Sequence, residues 1–207
     1  MILKNWNSLV EENMRKILFT AIILLPILTF GNENSADCLD AQQTYTNPLK
    51  VMIGDPYVLK VENKYYLYGT SVPSVGFKVW ESDDLVNWEG KGVAFSKFAE
   101  GNQWGKKDFW APEVVYYQDK CYMIYSARAS DGHLKIALAA SDSPLGPFVN
   151  IKAPLLDDGF SNIDGHIFVD EDGTPYLFYV RDCSENIIDG KHVSQIYVQE
   201  MSKDLLN

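Results

Sequence analysis

Short apolar runs separated by tight polar turns recur along most of this chain, and the pattern predicts β-hairpins. In the clearest copy, Ile167-Phe168-Val169 and Tyr176-Leu177-Phe178-Tyr179-Val180 flank the turn Asp170-Glu171-Asp172-Gly173. Glycine after aspartate supplies the positive φ that a tight hairpin needs, so the stretch reads strand, turn, strand. An acid, Asp164, stands before the first strand and is followed by Gly165. The arrangement occurs twice more upstream. Asp55-Pro56-Tyr57-Val58-Leu59 leads through Glu62-Asn63-Lys64 into Tyr65-Tyr66-Leu67-Tyr68. Ala111-Pro112-Glu113-Val114-Val115 leads through Gln118-Asp119-Lys120 into Tyr122-Met123-Ile124-Tyr125.

Aligning Tyr66, Tyr122 and Tyr176 gives spacings of 56 and 54 residues. A third run follows each hairpin: Phe77 to Trp80, Leu134 to Ala137, and Gln195 to Val198. A serine and a leucine come next in every copy, Ser82 with Leu85, Ser141 with Leu145, and Ser202 with Leu205. Such a period, with at least three short strands per copy, predicts an all-β array of propeller blades at about 51–108, 109–160 and 161–207. Tyr65 to Tyr68 and Tyr176 to Val180 are nearly continuous apolar runs and are expected to be the buried inner strands. A tandem array of sandwich domains is the competing architecture, but it needs longer units. The last residues, Lys203-Asp204-Leu205-Leu206-Asn207, match Asp83-Asp84-Leu85-Val86-Asn87 of the first copy, so the chain stops inside a repeat. Three copies do not close a ring, and the chain is expected to be the N-terminal part of a longer protein.

The first 38 residues have a different character. Ile17 to Phe30 is an apolar run preceded by Arg15-Lys16 and followed by small and polar residues, the shape of a secretory signal peptide. Met14 is an alternative start. The expected destination is secreted or periplasmic, with no membrane attachment after cleavage. Lipid anchoring at Cys38 is disfavoured because Asp37 precedes it where a small residue is wanted. Cys121 and Cys183 occupy different positions in their repeats and read as buried thiols rather than a disulfide. A net charge of -10 and the lack of any basic face exclude a nucleic-acid partner.

Asp55 and Asp164 are the candidate chemical groups. In a radial array the starts of equivalent innermost strands gather at one end of the axis, which would bring these two acids together. Paired carboxylates that polarise a water and a leaving oxygen are what glycoside hydrolysis requires. The alternative stays open at this point: aspartate before Pro56 or Gly165 is also an ordinary turn signal. His166 should point the same way as Asp164, and reads as a core histidine with a hydrogen-bonded neighbour. Asp170, Glu171 and Asp172 begin like a calcium loop, but the later acidic ligand is missing.

The run Gly54 to Ser71, with Ser82-Asp83-Asp84-Leu85-Val86-Asn87-Trp88, resembles glycoside hydrolase family 43. So do Phe109-Trp110-Ala111-Pro112-Glu113-Val114, Ser141 to Phe148, and Ile163-Asp164-Gly165-His166 with its Asp172-Gly173 hairpin. The resemblance covers Lys50 to Asn207. It implies a five-bladed β-propeller that hydrolyses arabinose- and xylose-containing oligo- and polysaccharides with inversion. It implies that Asp55 is the general base, and that Asp164 orients the general acid and tunes its pKa. The general acid itself, a glutamate of the fourth blade, would fall near residue 219, so the chain alone is expected to be inactive. Glu113 is not that acid and reads as a structural or peripheral carboxylate. Trp110 is implied as a flat face for a sugar ring, with Phe77 lining the same pocket and Trp104 bordering it. No cofactor is implied; some family members hold an axial calcium ion, and no residue here is assigned to one. A non-catalytic carbohydrate-binding propeller is the rival reading. A fructoside enzyme is a third, less consistent with Gly54-Asp55-Pro56-Tyr57.

Overall fold

Where the strands reverse is decided by residues that accept left-handed backbone. Glu62, at φ 53°, turns β1 (Gly54–Val61) into β2 (Lys64–Thr70). β3 (Gly76–Ser82) and β4 (Glu89–Ser96) complete a four-stranded antiparallel sheet in the order β1-β2-β3-β4. Gln118 and Asp119, at φ 48° and 61°, form the corresponding turn of the second sheet. It joins β5 (Lys107–Tyr117) to β6 (Lys120–Arg128), and β7 (Leu134–Ser141) and β8 (Val149–Lys152) follow in the order β5-β6-β7-β8. In the third sheet β9 (Asn162–Val169) and β10 (Pro175–Arg181) are joined by the predicted Asp170–Gly173 turn, with Gly173 at φ 82°. A small hairpin, β11 (Ile187–Ile188) and β12 (Lys191–His192), precedes β13 (Gln195–Glu200), which pairs with β10. The computed structural model describes residues 45–207, and no helix occurs among them. The signal-like run, Met14 and Cys38 lie outside the described residues.

The serine and leucine after the third strand have a common physical basis in the first and third copies. Ser82 Oγ donates to Asp84 and accepts the Leu85 amide at 3.0 Å. Asp84 Oδ1 in turn accepts the amides of Val86 and Asn87. Ser202, Asp204 and Leu206 repeat most of this turn, and Leu85 and Leu205 both take positive φ.

Two cores lie on either side of the second sheet. One joins it to the first sheet through Tyr68, Phe77, Phe95, Phe109, Tyr125 and Phe148. The other joins it to the third through Ile124, Ile136, Leu138, Ile167, Leu177 and Leu205. Hence β7 is almost wholly buried, whereas β13, with one free face, alternates half-buried and exposed. Gly165 permits the closest approach in the second core: a Cβ there would stand 2.7 Å from Ile124 Cδ1.

One expectation about the strands needs correcting. The apolar runs at Tyr65–Tyr68 and Tyr176–Val180 are second strands, β2 and β10, not innermost ones. The first strands β1, β5 and β9 pack successively against one another. The second strands are the more apolar because they lie in mid-sheet, between two neighbours. Cys121 is fully buried and Cys183 half-buried, and both are free thiols. Burial pushes the Cys121 thiol up to about 11.

Candidate active site

Near the start of each first strand the chain makes the same unusual bend. Asp55, Ala111 and Asp164 have φ of 49°, 44° and 54°. A register irregularity accompanies each: between Gly54 and Tyr57, between Trp110 and Glu113, and in the pairing of β9 with β10 opposite Asp164. A bulge of this kind re-aims the side chain at its centre. Left-handed backbone is costly for alanine, which has no polar side chain to compensate. The conformation therefore comes from the sheet, not from any turn preference of aspartate.

Hydroxyl groups fasten these bends across sheet boundaries. Thr70, at the end of β2, donates to Asp55 Oδ2 at 2.6 Å and accepts the Ala111 amide at 2.9 Å. Ser126, at the corresponding place on β6, accepts the Asp164 amide at 3.0 Å. Trp110 pairs with Ser126 and is half-buried, immediately beside Ala111.

Asp164 remains open to solvent, yet its carboxyl is pushed up from the usual aspartate value. The largest cause is loss of hydration among the surrounding protein atoms. The negative charges of Asp55, Asp182 and Glu113 add to it. The structure thus brings Asp55, on the first sheet, into the same electrostatic field as Asp164 on the third. Glu113 also helps burial to raise the Tyr57 phenol.

Three sequence expectations change here. Phe77 does not line the site: it is 1% exposed, packed among Phe95, Phe109 and Tyr125, because its strand directs it into the first core. Trp104 is half-buried and packs against that same core. His166 is not a core residue: its side chain is 44% exposed, and Nδ1 lies 2.5 Å from Glu113 Oε2. Alternation along β9 carried the signal for this contact, but its partner on another sheet could not be read from spacing. Among the described residues no three acidic, histidine or cysteine side chains gather to hold a metal ion. A groove of about 450 Å³ lined by Lys120, Asp142, Pro147 and Ile151 lies at the opposite end of β6 and contains a single acid.

The model of the glycosyl hydrolases family 43 matches residues 45–207. The chain belongs to that family. A thermostable family-43 glycoside hydrolase of known crystal structure is 67% identical, with a TM-score of 0.78, over 79% of this chain and 53% of its own. The endo-arabinase from Bacteroides thetaiotaomicron is 30% identical, with a TM-score of 0.67, over 79% of this chain and 56% of that one. Among curated proteins, the extracellular endo-α-(1→5)-L-arabinanase of Thermotoga petrophila is 29% identical over 72% of this chain and 36% of its own length. Xylosidase/arabinosidase 43A of Humicola insolens is 37% identical over 37% of this chain and 23% of its own. This family 43 chain thus spans little more than half of the two solved relatives, and 36% and 23% of the two curated ones. Its fold is the β-propeller type, with three blades among the described residues.

Proposed function

We propose that this family 43 chain carries two of the acidic groups of a glycosidase acting on arabinosyl or xylosyl linkages. The blades would run over about 51–108, 109–160 and 161–207. Asp55 is the general base that deprotonates water. Asp164 positions and tunes the proton donor, a role assigned to no described residue. The observation that carries the reading is the matching bend at Asp55 and Asp164, at φ 49° and 54°, near the starts of first strands that pack in succession; the Asp55 charge also helps to raise the Asp164 carboxyl. Ala111 supports it from the other side, because the same bend without a carboxylate removes the need for acids as strand initiators. The substrate class follows the names of the relatives, an arabinanase and a xylosidase/arabinosidase.

The chemistry is that of inversion: one ionised carboxylate removes a proton from water while a protonated acid assists the departing sugar oxygen. Thr70 holds one oxygen of Asp55 and leaves the other for water. The negative charge of Asp164 favours a protonated neighbouring acid by like-charge repulsion. Trp110 offers a flat face to the sugar. Export is part of the proposal, supported by the apolar run at 17–30 and by a relative described as extracellular.

Binding tests the site without requiring turnover. Arabino- or xylo-oligosaccharides are expected to perturb the resonances of Asp55, Trp110 and Asp164, and Trp110→Ala to weaken binding. In any longer protein carrying this chain, Asp55→Asn is expected to abolish most hydrolysis while leaving binding in place. Binding with hydrolysis untouched by Asp55→Asn would refute the assignment of the base. Binding with no hydrolysis by the longer protein would favour a non-catalytic carbohydrate-binding propeller.

A further inference from the structure

Glu113 stands on β5 two residues past Ala111, and His166 on β9 two residues past Asp164. Their side chains meet across the boundary between the second and third sheets, Oε2 to Nδ1, at 2.5 Å. A contact so short between a carboxylate and an imidazole is a charge-assisted hydrogen bond. Neither group is buried deeply enough for the pair to be a major source of stability, with side-chain exposures of 31% and 44%. Phe178 on β10 lies against the imidazole, with ring centroids 6.5 Å apart. Among the described residues His166 is the one hydrogen-bond partner of the Glu113 carboxylate. Loss of the imidazole would leave a half-exposed carboxylate free to turn toward water.

We propose that Glu113 and His166 form a positioning pair for Asp164: the imidazole, two residues along from Asp164 on β9, pins the Glu113 carboxylate across the sheet boundary beside it. The inference deepens the functional reading and rests on it for the importance of Asp164, although the pair can be measured in a protein that turns over no substrate. Three negative charges act on Asp164. Asp55 acts from β1, Glu113 from β5, and Asp182 from just past β10. β6 contributes the uncharged Ser126 hydroxyl, and the cations Arg128 on β6, Lys135 on β7 and Arg181 on β10 are engaged by Asp108, by Asp131 and Asp157, and by Asp158 respectively. His166, on the same strand as Asp164, acts through Glu113.

The test is a carbon-13 titration of the Asp164 carboxyl in the full chain, assigned with Asp164→Asn. Glu113→Gln keeps the shape and removes the charge, and is expected to lower the Asp164 midpoint. His166→Ala is expected to lower it less, by releasing Glu113, and to add nothing in the Glu113→Gln background. Thermal unfolding of each variant separates the electrostatic role from a structural one, since a merely structural pair changes stability and leaves the midpoint in place. An Asp164 midpoint unchanged by Glu113→Gln would overturn the proposal. So would an effect of His166→Ala equal in size with and without Glu113. Both results stand whether or not Asp55 proves to be the base of a hydrolase.

Discussion

The starts of β5 and β9 have nearly the same backbone and carry opposite chemistry. Ala111 and Asp164 both sit in left-handed bends, both have their amides fastened by a hydroxyl on the preceding sheet, and both follow a residue paired into the second strand's end. One presents a methyl group and the other a carboxylate in a field of three more acids. The bend is thus a property of the blade, repeated wherever the blade repeats. The chemistry is grafted on it by the side chain that each copy places there. A strained position that persists without a polar side chain is architecture; a carboxylate at two such positions, close enough to feel each other, is what the proposed site rests on.

The largest effect that would sharpen this contrast is catalytic. In a longer protein carrying the chain, Asp55→Asn should reduce hydrolysis by about a hundredfold to ten-thousandfold, the range of a lost general base. Asparagine tolerates left-handed backbone, so the fold should be retained. Ala111→Gly, at the matching bend, should leave hydrolysis unchanged. The hydroxyl fasteners come next. Thr70→Val leaves the Ala111 amide without its acceptor, and Ser126→Ala does the same to Asp164; each should lower unfolding free energy by about 1–3 kcal/mol. Denaturant titration measures both, and a loss confined to one of them would break the equivalence of the two bends.

A smaller effect separates the two bends by pH. The Asp164 carboxyl is raised in the folded chain, so the fold binds its proton more tightly than the unfolded chain does. Its ionisation therefore opposes folding, and this opposition grows as pH rises from the usual aspartate value through the raised one. Asp164→Asn should raise Tm at neutral pH, and the gain should vanish in acid, where both states hold the proton. The smallest effect belongs to Ala111→Gly, which relieves a left-handed alanine and should stabilise by about 0.5–1 kcal/mol at most.

Much of this was legible along the chain because turns and strand starts are local. Asp172-Gly173, Glu62-Asn63 and Gln118-Asp119 mark hairpins where the structure has them, and Ser82-Asp83-Asp84-Leu85 announces a turn that Ser202 to Leu205 repeats. The fourth strands were not legible. Glu89 to Ser96 lacks a clean alternation because it is an edge strand with only its last part in the core. Phe77 read as a pocket residue, since an aromatic residue before a polar one does not tell which face is covered. The bend at Ala111 carried no signal at all: neither glycine nor asparagine stands there, and only the neighbouring sheet imposes it. Glu113 and His166 could each be placed on a face, but their meeting depends on how two sheets pack, which is set by contacts such as that of Gly165, beside His166, with Ile124, paired to Glu113.

The most direct test is a crystal structure of the chain with an arabino- or xylo-oligosaccharide. One sugar ring should lie within hydrogen-bonding distance of both the Asp55 and Asp164 carboxylates, with Trp110 against its face. A saccharide bound in the groove beside Lys120 and Asp142, with Asp55 and Asp164 contacting no part of it, would contradict the account.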